Sequence, residues 1–328
     1  MTKDDVFAIL LNSKGYISGE AISKELGLSR AAVNSAVKAL RAEGLVISSV
    51  TNKGYLLESY PRRLTAGEIY SHLDHERTRS VICLETVDST NNRLKEMLKD
   101  DPVPGTTIIA NEQTGGRGRM GRSFSSPAGC GIYLSMLIRP KGQISDVSGI
   151  TAWTAVAVHN AILSAYGIDT DIKWVNDLYL NGKKITGILT ELSVEGEIGM
   201  VSSIIIGIGI NVNHKPEDFP EELRDIATSI SYGSSSGELD RSLLAAEVIK
   251  ELDKMAALWP DGKKEYLDTY RRKCITLDKD VDVINYATGY KRSAHTIDIN
   301  PDFSLKVRYE DGTIDDVRSG EVRVRGIS

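Results

Sequence analysis

Cysteine is scarce in this chain of 328 residues: Cys83, Cys130 and Cys274 stand far apart, with no C-x-x-C pair. That pattern supports neither a disulfide framework nor a cysteine zinc site, and it implies a reducing, cytoplasmic compartment. Long apolar runs are missing too. The strongest, 132–138 and 200–212, fall short of the ~20 residues that span a bilayer, so no membrane partner is expected. The apolar run 6–11 is too short, and too acidic at its start, for a secretory signal. With 41% hydrophobic and 26% charged residues, disordered, collagenous and low-complexity classes are excluded. Strong positive charge is absent as well: the net charge of -5 argues, taken whole, against a nucleic-acid partner.

What is present divides unevenly. Single cores seldom grow past roughly 250–300 residues, so two or three domains are expected. Residues 1–62 carry a net +2 and the remainder -7, and the sign changes near Tyr60-Pro61-Arg62. Pro61 holds its predecessor extended, and Thr65 with Glu68 three positions on is a capping-box pattern, so a boundary falls there. Helices are expected over 4–12, over 18–26 capped by Ser18, and over 30–43 capped by Ser29. In the third, Val33, Val37 and Leu40 keep the spacing of a buried face. Strands over 45–50 and 55–57, joined by Thr51-Asn-Lys-Gly54, complete a winged helix-turn-helix. Its outer face carries Arg30, Ala31, Asn34, Ser35 and Lys38, small or polar groups suited to base edges and phosphates of DNA. A helical interaction module with a merely solvated polar face is the alternative.

Residues 63–270 read as a mixed α/β domain, with helices over 91–98, 152–165 and 243–258, a last turn near 266–272, and strands over 106–110, 132–138, 185–192 and 200–210. Residues 231–237 read as a short flexible loop. From 271 to 328 the pattern becomes short alternating strands (281–286, 293–299, 304–309, 313–317, 321–324), a small β-barrel or sandwich. The fold class is therefore α+β and multidomain.

The most informative segment is Gly115-Gly-Arg117-Gly118-Arg119-Met120-Gly-Arg122. Its G-x-G-x-x-G is not a dinucleotide fingerprint, because Ser123-Phe-Ser-Ser-Pro-Ala-Gly-Cys-Gly cannot start the helix that fingerprint requires. No Walker Gly-Lys-Ser/Thr, His-Arg-Asp or Asp-Phe-Gly occurs either. Arginines alternating with glycines suit a flexible loop that closes over a polyanion such as ATP phosphates or an acyl phosphate. A loose RNA-binding RGG patch is the competing reading. Lys173-Trp-Val-Asn176-Asp177, then Lys183-Lys184-Ile-Thr-Gly187-Ile-Leu, and then Gly207-Ile-Gly209-Ile-Asn211 add a cation and an alternation of glycines that lets a ligand lie against a strand.

Together with Asp88-Ser89-Thr90-Asn91, these motifs resemble, in order, the signature of biotin–protein ligases. With the N-terminal winged helix the chain resembles the bifunctional bacterial type, ligase and biotin-operon repressor (the BirA family), over essentially its whole length. Val175 stands where the family commonly has Pro, and Met120 where some members have Arg. The resemblance implies a biotin/lipoate-ligase-like catalytic domain and a C-terminal SH3-like β-barrel. It implies ATP and Mg²⁺ as cosubstrate and metal, biotin as substrate, a biotin carboxyl carrier protein as acceptor, operator DNA as partner, and a homodimer when biotinyl-AMP is bound. No protein metal ligands are implied.

Carried over by motif, the biotin site is Ser89, Thr90, Asn91, Gln113, Arg117, Gly118, Arg119 and Lys184, with Gly187, Gly207 and Gly209 along the strands. Arg119 and Arg122 would clamp phosphates, and Asn176 and Asn211 would orient ATP or its Mg²⁺. Lys184, seven residues after Asp177, would stabilise charge between the biotin carboxylate and the α-phosphate. Asp177 would assist the acceptor lysine or serve as a structural cap. A ligand-sensing regulator without turnover and a lipoate-type acyl ligase are the competing readings; the full arginine loop with Lys184 favours an enzyme, and the winged helix disfavours the lipoate type.

Overall fold

A computed structural model of the chain describes residues 2–60, 64–74, 77–139, 149–195, 200–284, 289–318 and 321–325. Part of the boundary expected at 60–62, and the end of the strand expected over 281–286, lie outside the described residues.

At the N-terminus α1 (Thr2–Asn12), α2 (Gly19–Leu26) and α3 (Arg30–Ala42) precede the hairpin of β1 (Val46–Val50) and β2 (Gly54–Ser59). Both expected caps form: Ser18 Oγ accepts from the Ala21 amide at 3.0 Å and Ser29 Oγ from the Ala32 amide at 3.1 Å. Each satisfies one helix-end donor, a contribution of about 1 kcal/mol. Val33, Ala36, Val37 and Leu40 of α3 are buried against Val6, Phe7, Leu10, Ile22 and Ile47. The opposite face leaves Arg30, Ala31, Asn34, Ser35 and Lys38 exposed. Helix α4 (Ala66–His72) packs on α1; Thr65 Oγ1 caps it by accepting from the Glu68 amide at 3.2 Å. The Glu68 carboxylate accepts from Ser242 Oγ, tying α4 to a later helix.

The central unit is a seven-stranded sheet in the order β3-β4-β5-β9-β8-β7-β6. Its strands are β3 (Val81–Val87), β4 (Thr107–Gln113), β5 (Gly131–Ile138), β6 (Asp171–Lys173), β7 (Asp177–Leu180), β8 (Lys183–Glu195) and β9 (Met200–Asn211). Only β3 and β4 run parallel. Strand alternation separates the faces. Ile204, Ile206, Ile208 and Ile210 point to the side packed by α6 (Ile150–Tyr166) and α8 (Arg241–Leu258), sharing a core with Trp153, Val156 and Leu252. Ile205 points the other way, to a small core with Leu94 of α5 (Thr90–Met97), Ile108 and Leu137. Gly207, Gly209 and Asn211 share that second face, beyond the end of α5. The site lies there.

Five elements differ from expectation. Strands β3, β6 and β7 were not anticipated; β6 and β7 have only three and four residues, too few to display a period. The last turn expected near 266–272 is a full helix, α9 (Lys263–Lys273), held by Tyr266 stacked on Trp153 at 4.0 Å. The loop expected over 231–237 begins as one helical turn, α7 (Ile230–Gly233), because Ser229 Oγ caps it through the Tyr232 amide.

Beyond α9, strands β10 (Asp280–Ile284), β11 (Lys291–Ile299), β12 (Leu305–Tyr309), β13 (Ile314–Val317) and β14 (Glu321–Val324) form an antiparallel sheet in the order β13-β12-β11-β10-β14. Among the described residues no ladder joins β13 to β14, so a closed barrel is not formed by them. The core of this sheet is continuous with that of the central unit. Trp174 stitches the two: its backbone amide donates to Thr276 Oγ1 at 3.0 Å and its indole N–H to the Phe303 carbonyl at 2.9 Å.

Candidate active site

A cavity of about 390 Å³ opens on the face that α5 leaves uncovered. Its floor is glycine where strands β8 and β9 pair, with Gly187 opposite Gly209. A Cβ on Gly207 would lie 2.3 Å from Asn91 Oδ1, and one on Gly209 would lie 2.4 Å from the Phe124 ring. The glycines thus admit neighbouring side chains as well as leaving the floor bare. Ser89, Thr90 and Asn91, at the start of α5, are all buried. The Thr90 amide donates to Gln113 Oε1 at 2.8 Å, Gln113 Nε2 donates to Ser126 Oγ at 3.0 Å, and Ser135 Oγ lies 2.7 Å from Thr90 Oγ1. Such a network of hydroxyls and amides is preorganised to receive a small polar ring.

The facing wall is the glycine-arginine segment, and it is not an open loop. The Phe124 amide donates to the Gly116 carbonyl at 2.9 Å and the Gly118 amide to the Arg122 carbonyl at 2.7 Å, making a narrow tongue with Met120 left-handed (φ 61°) at its tip. Arg117 hydrogen-bonds Asn92 and lies 3.9 Å from Glu191. Arg119 donates to Asn176 Oδ1 at 2.9 Å, and Asn176 Nδ2 donates in turn to Asp177 Oδ1 and the Ile188 carbonyl, each at 3.0 Å. Lys184 Nζ pairs with Asp177 Oδ1 at 2.8 Å. Its backbone is fixed by bonds to Ile226 and Thr228.

Every ligase-site residue expected from sequence lines this one cavity: Ser89, Thr90, Asn91, Gln113, Arg117, Gly118, Arg119, Arg122, Asn176, Asp177, Lys184, Gly187, Gly207, Gly209 and Asn211. Asn176 spends both ends of its amide on Arg119 and Asp177, so in this state it orients the cation and the carboxylate. Arg30, Ala31, Asn34, Ser35 and Lys38 belong to a separate surface on α3. Sequence reasoning missed Phe124, Phe219, Leu223, Ile226, Val322 and Arg323. Phe124 follows the arginine motif directly and could have been read as its continuation; Val322 and Arg323 arrive from β14 of the C-terminal sheet, whose core is continuous with that of the central unit.

Behind the wall, His214 stacks on Phe219 with ring centroids 5.1 Å apart. Burial depresses the His214 pKa to about 4, opposed by Asp218, so the ring is neutral at pH 7. Burial raises Glu191, but hydrogen bonds from Lys95 and Asn91 outweigh it and hold the carboxyl below its ordinary value.

Residues 83–211 match the Biotin/lipoate A/B protein ligase family, and residues 2–56 match an HTH domain. The Bifunctional ligase/repressor BirA of Bacillus spizizenii is 43% identical over 69% of this chain and 69% of its own length. That of Salmonella typhimurium is 31% identical over 96% of this chain and 95% of its own. The chain belongs to the BirA family. Among solved structures, the biotin protein ligase of Aquifex aeolicus in complex with biotin and ATP is 30% identical, with a TM-score of 0.63, and covers 75% of this BirA-family chain and 98% of that one. The HTH match of residues 2–56 falls within the winged helix of α1–α3 and β1–β2.

Proposed function

We propose that the protein is an ATP-dependent biotin–[biotin carboxyl carrier protein] ligase, and a biotin-responsive repressor with biotinyl-AMP as corepressor. The convergence of buried Ser89, the Thr90–Gln113 hydrogen bonds and the Lys184–Asp177 and Arg119–Asn176 pairs on one cavity carries the catalytic reading. In the first step the biotin carboxylate attacks the α-phosphate of ATP, forming the mixed anhydride and releasing pyrophosphate. A carboxylate with a pKa near 4–5 is ionised at neutral pH and needs no base. Catalysis is therefore positioning and charge neutralisation. Ser89, Thr90 and Gln113 hold the ureido ring, Gly207 and Gly209 let the ligand approach the strand, and Lys184 sits between carboxylate and α-phosphate. Arg119 and Arg122 clamp the phosphates.

In the second step the acceptor lysine amine attacks the anhydride carbonyl and AMP departs. The lysine must first lose a proton from a pKa near 10.4. Asp177 assists by holding Lys184 and accepting hydrogen-bonded protons near the carbonyl.

Mg²⁺ is proposed to arrive on the nucleotide. Magnesium on a nucleotide is held mainly by phosphates and waters, with Asn176 and Asn211 of the cavity as the nearby amides. Bound there, it would neutralise phosphate charge.

The division into residues 1–62 (DNA reader), 63–270 (ligase) and 271–328 (an SH3-like β domain) is proposed on the separate N-terminal core and the change to short strands. Repression implies a homodimer, since a palindromic operator needs two recognition helices about one DNA turn, or a multiple, apart. A cytoplasmic location accords with free cysteines and with the described residues having no helix long and apolar enough to cross a membrane.

One assay tests the ligase: ATP, Mg²⁺, labelled biotin or lipoate, and a biotin-carrier domain, with biotin transferred and lipoate not. Failure to label the carrier rejects it. Mobility shift of palindromic operator DNA with and without biotinyl-AMP tests the repressor; no shift in either condition rejects it.

A further inference from the structure

The hairpin between β11 and β12 carries a phenylalanine where the backbone favours glycine. Phe303 has φ 64°, in the left-handed region that a bulky side chain occupies only at a cost in free energy. The turn is held there by bonds across it. The Phe303 amide donates to the Asn300 carbonyl and the Asn300 amide to the Ser304 carbonyl, each at 2.9 Å, and Asp302 Oδ1 accepts from the Ser304 amide at 3.1 Å. Glycine at 303 would leave all three bonds intact, so the turn alone gives no reason for a phenylalanine. Strain of this kind persists only where surrounding structure fixes the residue.

The offsetting contacts belong to the side chain. Phe303 is buried, and its ring seats against the central unit, edge-on to the Tyr270 ring of α9 at 5.6 Å and 6.5 Å from the Trp153 ring of α6. Gly149, at the start of α6, makes the room: a Cβ there would lie 2.7 Å from the Phe303 ring. With ring and turn both fixed, the Phe303 carbonyl has one direction, and there it accepts the Trp174 indole N–H at 2.9 Å. Trp174 begins the turn Trp174-Val175-Asn176 between β6 and β7, and Asp177 follows it. Asn176 and Asp177 hold the Arg119 guanidinium at 2.9 Å and the Lys184 ammonium at 2.8 Å. The Asn176 end of the turn is bonded to Ile188 of β8, and the Trp174 end to Thr276 and Phe303, both beyond α9.

We propose that Phe303 is a positioning residue of the ligase reaction: its seated ring and constrained turn hold the carbonyl that fixes Trp174, and through Trp174 the turn that presents Asn176 to Arg119 and Asp177 to Lys184. Phe303 touches no reacting atom. The inference rests on the reading that Arg119 and Lys184 serve adenylation at this cavity, and it gives the C-terminal sheet a task in that step. A turn released at its Trp174 end loosens both cation pairs, while the wall of Ser89, Thr90 and Gln113 stays as it is.

The test separates rate from binding in the full chain: biotin affinity by calorimetric titration, and the maximal rate of biotin-dependent pyrophosphate exchange at saturating ATP. Trp174→Phe keeps an aromatic ring and removes only the N–H; Phe303→Ala keeps the strained turn and removes the seated ring. Both are expected to lower the maximal rate about 10–100-fold, the scale of a misplaced catalytic group. Biotin, held on the opposite wall, should bind within about threefold of native. Phe303→Leu refills most of the seat and should bring the rate back to within about threefold of native. A merely structural role would lower the melting temperature and leave the rate of the folded protein unchanged. An unchanged rate in Trp174→Phe, or a loss of biotin affinity parallel to the loss of rate, overturns the proposal. So does a loss in Trp174→Phe with none in Phe303→Ala, which would place the effect in Trp174 at the cavity. If Phe303→Ala does not fold, Phe303→Gly, which removes ring and strain together, takes its place. A native chain without biotin-dependent exchange rejects the ligase reading itself.

Discussion

The two walls of the cavity are built in opposite ways. In one wall Ser89, Thr90, Asn91 and Ser135 are buried, Thr90, Asn91, Gln113 and Ser135 are already hydrogen-bonded among themselves, and the floor is held to glycine by close packing. The tongue of Gly116–Phe124 is closed mainly by its own backbone bonds; it leaves Arg117 and Arg122 exposed, the Arg117 side chain 42%, and turns Arg119 into the cavity toward Asn176. The difference matches the two ligands it is read to receive. A neutral ureido ring is recognised by donors and acceptors fixed beforehand, whereas a polyphosphate is recognised by cations that gain most when the anion arrives.

The comparison can be broken at several points. At the seam between the walls, Lys184→Ala should lower biotin-dependent pyrophosphate exchange by about 10²–10³-fold with little change in melting temperature, since one charge-stabilising donor is removed. Near-normal exchange would remove Lys184 from its role. Alanine placed in each wall gives a paired test. Gly207→Ala must displace Asn91 and should weaken biotin binding by about 10–100-fold, as overpacking does. Gly118→Ala in the tongue meets nothing nearer than 3.5 Å and should cost about threefold at most. Equal losses would erase the distinction between the walls.

Arg119→Gly removes the tether to Asn176 and should shorten retention of biotinyl-AMP about tenfold, the scale of one charge-assisted bond, read out as biotin on bystander proteins. Retention as in the native chain would assign closure to other residues. The smallest effect concerns the buried side of the Phe219 wall. His214 stays neutral in the fold down to about pH 4 but protonates near 6.5 when unfolded. The unfolded chain then binds more protons, so stability is complete above 6.5 and is lost as pH falls, by about 1 kcal/mol between pH 6.5 and 5.5. Denaturant titrations of His214→Gln and the native chain should diverge in that window and run parallel above it.

The arginine-glycine motif, the Lys-Trp-x-Asn-Asp segment and the Gly-x-Gly strand were legible in sequence because each keeps its chemistry within a few consecutive residues. Caps at Ser18, Ser29 and Thr65 were legible for the same reason. What was not legible depends on distant pairing. Strands β6 and β7 exist because β8 supplies a partner, and Arg323 reaches the cavity on a strand paired with β10, in a sheet that a Trp174–Phe303 bond joins to the central unit across 129 positions of sequence. Glu191 looked like one more polar residue of a strand until the structure placed it 2.7 Å from Asn91, a hundred residues earlier.

The claim that one wall is finished before the ligand and the other is completed by it is tested most directly by amide hydrogen exchange, with and without biotin and ATP. The amides of Gly116, Arg117, Met120, Gly121 and Ser123 should exchange readily in the free protein and become protected when both ligands are present, while those of β4, β5 and β9 stay equally protected throughout. Slow exchange of the tongue in the free protein, or new protection of β4, β5 and β9 on binding, would contradict the account.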